Sequence, residues 1–385
     1  MQRYSFWPEI PYWSFQVTRF ISQIEAGGAN FEEMYRTCQK ITPGDRDSFY
    51  REWQSVGSII ENKASKAEAK GNRASARSGF QRASTYYLIS QMILSADDPR
   101  KLKSLEQVYH AFKKSIAHMN PRPEIVRLPY ERTTLEAFYF PPSRGEARAP
   151  AIIFVNGGEM TASECYFWHG PAATEAGFGF LCFDQPGNAL SLLRDGLTAT
   201  PHSERFISPA IDYLSQRSDV DSSRIILLGA GLSGSCLAPR AAAADPRPAA
   251  VISTCAPYSL ASSFEHTYPH RNEDYKNFVS KMLGAASPSV ADIMKAAQPY
   301  GLEGILQKLK CPFLILQGID DAQIVDPVKT AQHALDQAGS QVKRLEIINQ
   351  DDFGGSLHCQ LDNLHSAQDA IFNWLADIKI SRPVQ

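Results

Sequence analysis

The stretch Gly229-Ala230-Gly231-Leu232-Ser233-Gly234-Ser235 follows an apolar run, Arg224–Leu228, and leads into a helical pattern from Leu237. A strand, a tight turn of small residues holding a serine, and then a helix make a nucleophile elbow. Crowding at such a turn leaves room only for small neighbours. The usual pattern is G-x-S-x-G, and Gly231-Leu232-Ser233-Gly234-Ser235 matches it with serine in the last glycine's place. A plain structural turn is the bland alternative. A dinucleotide-binding loop is a third, opposed by the late position of the strand in the chain.

Working outward, short apolar runs alternate with helical patterns from Glu124 to the C-terminal region. The strands predicted are Glu124–Pro129, Thr134–Phe140, Ala151–Val155, Gly179–Phe183, Arg224–Leu228, Ala249–Thr254, Pro312–Gln317 and Val342–Ile348. Several are continuous apolar runs, as expected of strands covered on both faces. Helices are predicted over Gly170–Ala176, Glu204–Gln216, Leu237–Ala244, Pro327–Ala338 and Ser366–Ile378. This alternation gives an α/β fold with a mainly parallel sheet and helices on both faces. A long insert, Ala256–Lys310, interrupts it and reads as a helical cap over the sheet's carboxyl edge.

Before Pro123 the texture is helical. Phe49, Trp53, Val56, Ile59 and Ile60 recur at helical spacing, and a second pattern runs from Gly71-Asn72 through Phe80, Ala83, Tyr86, Tyr87, Ile89 and Met92. Asp97-Asp98-Pro99 stops it and starts a third helix. The domains expected are therefore residues 1–123, helical, and 124–385, α/β, with the cap insert at about 256–310.

Composition narrows the class. Among 385 residues, 39 basic and 41 acidic side chains leave a net charge of −2, which offers no footprint for nucleic acid or an anionic membrane. No run approaches the ~18 apolar residues of a membrane span, and no secretory signal opens the chain. Seven scattered cysteines without a C-x-x-C pair suit reduced thiols in the cytoplasm. No metal or organic cofactor is expected.

Two further residues complete a catalytic set. Asp321 lies in Gly318-Ile319-Asp320-Asp321 after one strand, and His358 in Gly354-Gly355-Ser356-Leu357-His358-Cys359 after the last. Open α/β sheets place ligands at such strand ends. Asp320 is the alternative if the register slips by one. The chain order Ser233, Asp321, His358 is that of the α/β-hydrolases. Asn156-Gly157-Gly158-Glu159 follows another strand and offers backbone N–H groups of Gly157 and Gly158 to an oxyanion, with Gly234 next to the serine. Asp184, in Asp184-Gln185-Pro186-Gly187-Asn188, reads as structural. Tyr86, Tyr87, Tyr166 and Trp168 could line an aromatic cavity, with core packing as their default role. Glu265 in the insert could serve as an auxiliary acid, or sit on a solvated surface.

The chain resembles the family of 2,6-dihydroxypseudooxynicotine hydrolase and the fungal pigment-pathway hydrolases that shorten a polyketide chain. The resemblance runs from about Asp45 to the end. It rests on Gly71-Asn72, Tyr86-Tyr87, Asp97-Asp98-Pro99-Arg100, Pro129-Tyr130-Glu131, Asn156-Gly157-Gly158, Phe183-Asp184-Gln185-Pro186-Gly187, Leu237-Ala238-Pro239-Arg240 and His358-Cys359-Gln360-Leu361-Asp362-Asn363. It implies an α/β-hydrolase core, an N-terminal helical domain forming part of the lid, a homodimer, and cleavage of an ester or of a carbon–carbon bond beside a carbonyl. The implied substrate is an aromatic or polyketide-like small molecule of secondary metabolism, and a cap glutamate in some members falls near Glu265. The chain departs from the family at the elbow. Counted forward from Arg224 the serine position falls on Gly231; counted back from Leu237 it falls on Leu232.

Two mechanisms follow. Ser233 attacks a carbonyl while His358, held by Asp321, takes its proton. With the nucleophile lost, the His358–Asp321 pair serves a cyclase or lyase by proton transfer beside a carbonyl. A binding protein that retains only the fold is the third possibility, since fold alone does not choose.

Overall fold

Helical periodicity before Pro123 produces five helices. The structure, a computed structural model, describes residues 5–256, 258–349, 351 and 353–380. Its contacts divide the chain into two compact units, one holding the chain up to Pro123 with Tyr166–Trp168, the other the remainder. In the first unit, α1 (Pro11–Ile21) and α2 (Phe31–Lys40) precede α3 (Arg46–Ala69), α4 (Arg73–Gln91) and α5 (Pro99–Ile116). The stops and starts have local causes. Asn72 caps α4 by accepting from the Ser75 N–H, and Asp98 caps α5 at the Arg100 N–H with Pro99 in its first turn. The sequence expectation did not extend to α1 and α2, although Trp13, Val17 and Phe20 are buried at helical spacing.

The second unit is built on one sheet. Its strands are β1 (Glu124–Tyr130), β2 (Thr133–Phe140), β3 (Ala149–Val155), β4 (Gly179–Phe183), β5 (Val220–Gly229), β6 (Ala250–Ser253), β7 (Phe313–Gly318) and β8 (Lys343–Ile348). Their order is β1-β2-β4-β3-β5-β6-β7-β8, antiparallel at β1–β2 and β2–β4 and parallel from β4 to β8. Every residue of β3, β4, β6 and β7 is buried, as continuous apolar runs require. Each fully buried Val, Leu or Ile there is worth about 1.5–3 kcal/mol.

The helices of this unit are α6 (Ala162–Glu175), α7 (Ala189–Leu193), α8 (Glu204–Ser215), α9 (Gly231–Ala244), α10 (Leu260–Thr267), α11 (Glu273–Leu283), α12 (Val290–Ala297), α13 (Pro327–Gln337) and α14 (Leu364–Asp377). Helices α10 to α12 lie in the segment between β6 and β7. The segment reaches the carboxyl end of β3, because a Cβ added at Gly158 would lie 3.1 Å from Sδ of Met282 on α11. Two helices begin earlier than periodicity indicated. Gly231 to Pro239 of α9 are buried on all sides, so no apolar stripe marks the start. Residues Ala162 to His169 of α6 are likewise all buried. No helix is long and apolar enough to cross a membrane among the described residues.

Candidate active site

The corner between β5 and α9 is made by Gly231. Strand β5 ends at Gly229, Ala230 caps the helix, and Gly231 takes the left-handed φ of +69° at its first position. That conformation costs an L-residue steric strain and suits glycine. Space reinforces the choice, since a Cβ at Gly231 would stand 2.9 Å from the Cα of Gly157. Of the two counts made on the sequence, the forward one therefore meets the corner.

Ser233 stands two residues inside α9. Its hydroxyl donates to the Asn156 carbonyl at 3.4 Å, and among the described residues no hydrogen bond joins it to His358. The spacing Gly229, Gly231, Gly234 is also that of a dinucleotide-binding turn, but here the glycines serve close packing. A Cβ at Gly229 would lie 2.2 Å from the Gly234 carbonyl oxygen, and one at Gly234 equally close to that of Val155. Gly234 thus brings α9 against the end of β3. The residue after the corner, whose N–H faces an oxyanion in an elbow, is Leu232 rather than Gly234. Gly234→Ala is expected to cost about 1–3 kcal/mol through overpacking, read as a lower urea midpoint at unchanged slope.

Asp321 and His358 meet. The Nδ1–H of His358 donates to Oδ2 of Asp321 at 2.8 Å. The fully buried Asp321 carboxylate also accepts from the Gln323 N–H at 2.9 Å and from Gln317 Nε2 at 3.5 Å. Burial alone would raise the Asp321 pKa, but the facing imidazolium and these donors hold it below the usual carboxylate value. Burial alone would lower that of His358, yet the Asp321 carboxylate and the adjacent Cys359 thiolate hold it well above the ordinary imidazole range. Asp320 instead accepts from the Ser356 hydroxyl at 2.7 Å.

A glutamine clamp fixes the loop after β3. Gln185 accepts from the Asn156 N–H and donates to the Asn156 carbonyl, both at 3.0 Å. Asn188 donates to the carbonyls of Gly157 and Met160, and Asp184 accepts from the N–H groups of Ala162 and Leu190. Asp184 is thus structural. Among the described residues the N–H groups of Gly158, Leu232 and Ser233 make no hydrogen bond outside α9, so they remain available to an anion at the N-terminus of this 14-residue helix. The Asn156 side-chain amide is buried with both polar atoms unpartnered.

No protein-family model matches the chain. Among curated proteins it is 27% identical to "Hydrolase acrC" of Aspergillus aculeatus, covering 97% of each chain. It is 26% identical to "20-hydroxy-prefusarin hydrolase FUS2" of Gibberella moniliformis, covering 94% of this chain and 96% of that one. Among solved structures, 2,6-dihydroxy-pseudo-oxynicotine hydrolase matches with a TM-score of 0.77 at 20% identity, over 94% of this chain and 95% of that one. The chain is an α/β-hydrolase-fold enzyme. AbyA5 shares the fold as well, with a TM-score of 0.66 at 16% identity over 97% of this chain and 95% of that one.

Other residues singled out in the enzyme's sequence lie elsewhere. Glu265 is exposed on α10, one position past the face that buries Ser263, Phe264 and Thr267, so the solvated-surface reading replaces the auxiliary acid. Tyr86 and Tyr87 are buried in the helical unit, where their hydroxyls donate to Glu33 at 2.5 Å and Glu61 at 2.6 Å. That is core packing with satisfied hydroxyls, and it corrects the cavity reading of this pair. Tyr166 packs on Phe112 and Phe167 at ring separations of 5.9 and 5.4 Å, and Trp168 lies under the Arg19 guanidinium at 5.9 Å. Both are buried in that packing.

Sequence reasoning missed Cys359. Its Sγ accepts from the Gly231 N–H at 3.0 Å, and the residue adopts the left-handed φ of +54°. Burial would raise its pKa, but hydrogen bonding from Cys255 and the charge on His358 draw it well below the ordinary thiol value. The Cys255 thiol is correspondingly pushed up, chiefly by burial. The contact between the corner and the histidine loop bridges 128 positions, so no local motif announces it.

Proposed function

We propose that the enzyme hydrolyses an ester, or a carbon–carbon bond beside a carbonyl, in an aromatic or polyketide-like small molecule, with His358 activating water directly. One observation carries this reading: the corner residue is Gly231, closed over by Gly157 so that no side chain fits. In the neutral form His358 accepts a proton from water at Nε2 while its Nδ1–H stays on Asp321. Hydroxide adds to the carbonyl carbon, and the oxyanion is met by the N–H groups of Leu232 and Gly158. Each such donor is worth about 2.7–4 kcal/mol in the transition state. The resulting imidazolium returns the proton to the departing alkoxide or enolate. The names of the fungal relatives support a hydrolase, and the resemblance supports the substrate class.

Ser233→Ala tests it. With an activated aryl ester, turnover is expected to stay within about 3-fold of the parent, and a fluorophosphonate probe to leave the parent's mass unchanged. Loss of 10²-fold or more, the scale on which catalytic proton transfer acts, together with an adduct on Ser233 would restore the serine route. A second reading has the same support at the corner. Without a nucleophile, the pair can take a proton from carbon next to a carbonyl, as in an elimination or aldol-type cyclisation. Deuterium uptake into recovered substrate without hydrolysis would select it.

A further inference from the structure

Three soft or borderline ligands converge behind the corner. Sγ of Cys255, a ring nitrogen of His358 and Sγ of Cys359 all lie within 4.8 Å of one another. Cys255 follows β6 and the other two lie in the loop after β8, so the sheet brings together positions more than 100 residues apart. Both thiols are buried, and the imidazole is largely so. A tetrahedral zinc ion with Zn–S near 2.3 Å needs sulfur–sulfur edges of about 3.8 Å, which side-chain rotation can close from this starting point.

One buried polar atom next to the cluster in sequence is unsatisfied, and an outer support is in place. The Oε1 of Gln360, the residue after Cys359, is buried without a hydrogen-bond partner. Buried polar atoms are normally paired, so this one marks an interaction not otherwise supplied. The Nε2 of Gln360 donates to the Thr254 carbonyl at 3.2 Å, which ties the loop of Cys359 to the residue before Cys255. Asp321 adds the outer support common behind zinc-binding histidines. It holds Nδ1, so a metal ion at His358 would take Nε2.

We propose that Cys255, His358 and Cys359 bind one Zn²⁺ ion, and that this ion inhibits the enzyme by occupying the nitrogen that would otherwise activate water. The inhibitory half rests on the reading of His358 as the base; the binding half does not. Binding forms two Zn–S bonds and one Zn–N bond, with water at the fourth position. Both Cys255 and Cys359 bind as thiolates and His358 as the neutral ring, so the protons these groups carry beforehand pass to solvent and affinity rises with pH. No redox change is involved.

The test begins with the full chain, reduced and stripped with a chelator. It is titrated with Zn²⁺ against a chromophoric chelator, and separately with Co²⁺, whose thiolate complexes absorb in the near ultraviolet. One equivalent of zinc and a cobalt–thiolate band are expected. Cys255→Ala loses the band, and Asp321→Asn binds about 10–100-fold more weakly. Cys255→Ser, with its melting temperature recorded, guards against a packing defect in the alanine variant. Zinc uptake no tighter in the parent than in Cys255→Ala and Cys255→Ser would overturn the site.

Turnover of the aryl ester separates the two claims. The zinc-loaded parent is expected to lose activity relative to its own zinc-free rate, whereas Cys255→Ala shows no change from its own zinc-free rate at the same zinc concentration. Stoichiometric zinc binding with turnover intact would remove the inhibitory claim and the base reading of His358, and leave the metal site standing. Absent binding, with activity still abolished in His358→Ala, would remove the site and keep the base.

Discussion

Replacing His358 with alanine lowers kcat for aryl-ester hydrolysis by about 10²–10⁴-fold, the contribution of one positioned acid–base group. KM changes little, because the imidazole acts on the proton in flight rather than on the resting carbonyl. The loss is large because His358 both takes and returns the proton. The remaining rate comes from the N–H groups at the corner and the loop after β3, which the substitution leaves in place. Stopped-flow and steady-state assays over a panel of esters check this. A parent-like rate in a folded His358→Ala protein would remove the dyad from the mechanism.

Asp321→Asn is the second large effect, and its signature is a shift along the pH axis. The base form of His358 is neutral, so in the parent the rate rises with pH through a pKa held above the ordinary imidazole value. Removing the carboxylate leaves burial as the main influence, and burial favours the neutral ring. The rising limb of the pH–rate profile therefore moves to lower pH in Asp321→Asn. The plateau falls by up to ~10⁴-fold, as expected when a triad histidine loses the partner that fixes its tautomer. Stability moves in the same sense. In the parent the raised histidine pKa contributes stability that is fully present below pH ~6.5, the unfolded value. That contribution is lost as pH rises through the folded pKa. In the variant it vanishes, so the difference in melting temperature is greatest between the two unfolded values, about pH 4 to 6.5, narrowing toward alkaline pH and again in strong acid as Asp321 itself protonates. A pH-independent difference would assign Asp321 a packing role only.

How much of this was legible in the sequence depends on range. The strands were plain because sheet burial writes itself as local apolar runs: Ala151–Val155 and Gly179–Phe183 are covered on both faces and contain nothing else. Asp321 and His358 were legible from order and loop context, and the structure joins them at 2.8 Å. The start of α9 was hidden, since Gly231 to Cys236 are small or uniformly buried and lack helical contrast. Glu265 was placed by position in the insert alone, and a shift of one helical position decides between the buried face and solvent. The pairing of Cys359 with Gly231, and of Gln185 with Asn156, joins separate loops through backbone groups that any sequence carries. Backbone partners leave no residue-type signal.

The close approach of Gly157 to Gly231 also has a bearing on descent. A serine introduced at the corner by one codon change would meet a backbone atom 2.9 Å from its Cβ, not a side chain able to turn away. The neighbouring loop is itself tethered by Gln185 and Asn188 and cannot retreat alone. Acyl-enzyme chemistry from a serine at that position would require the backbone at Gly157 to move. The corner thus acts as a filter in sequence space, closed to any side chain at position 231 while that loop keeps its place.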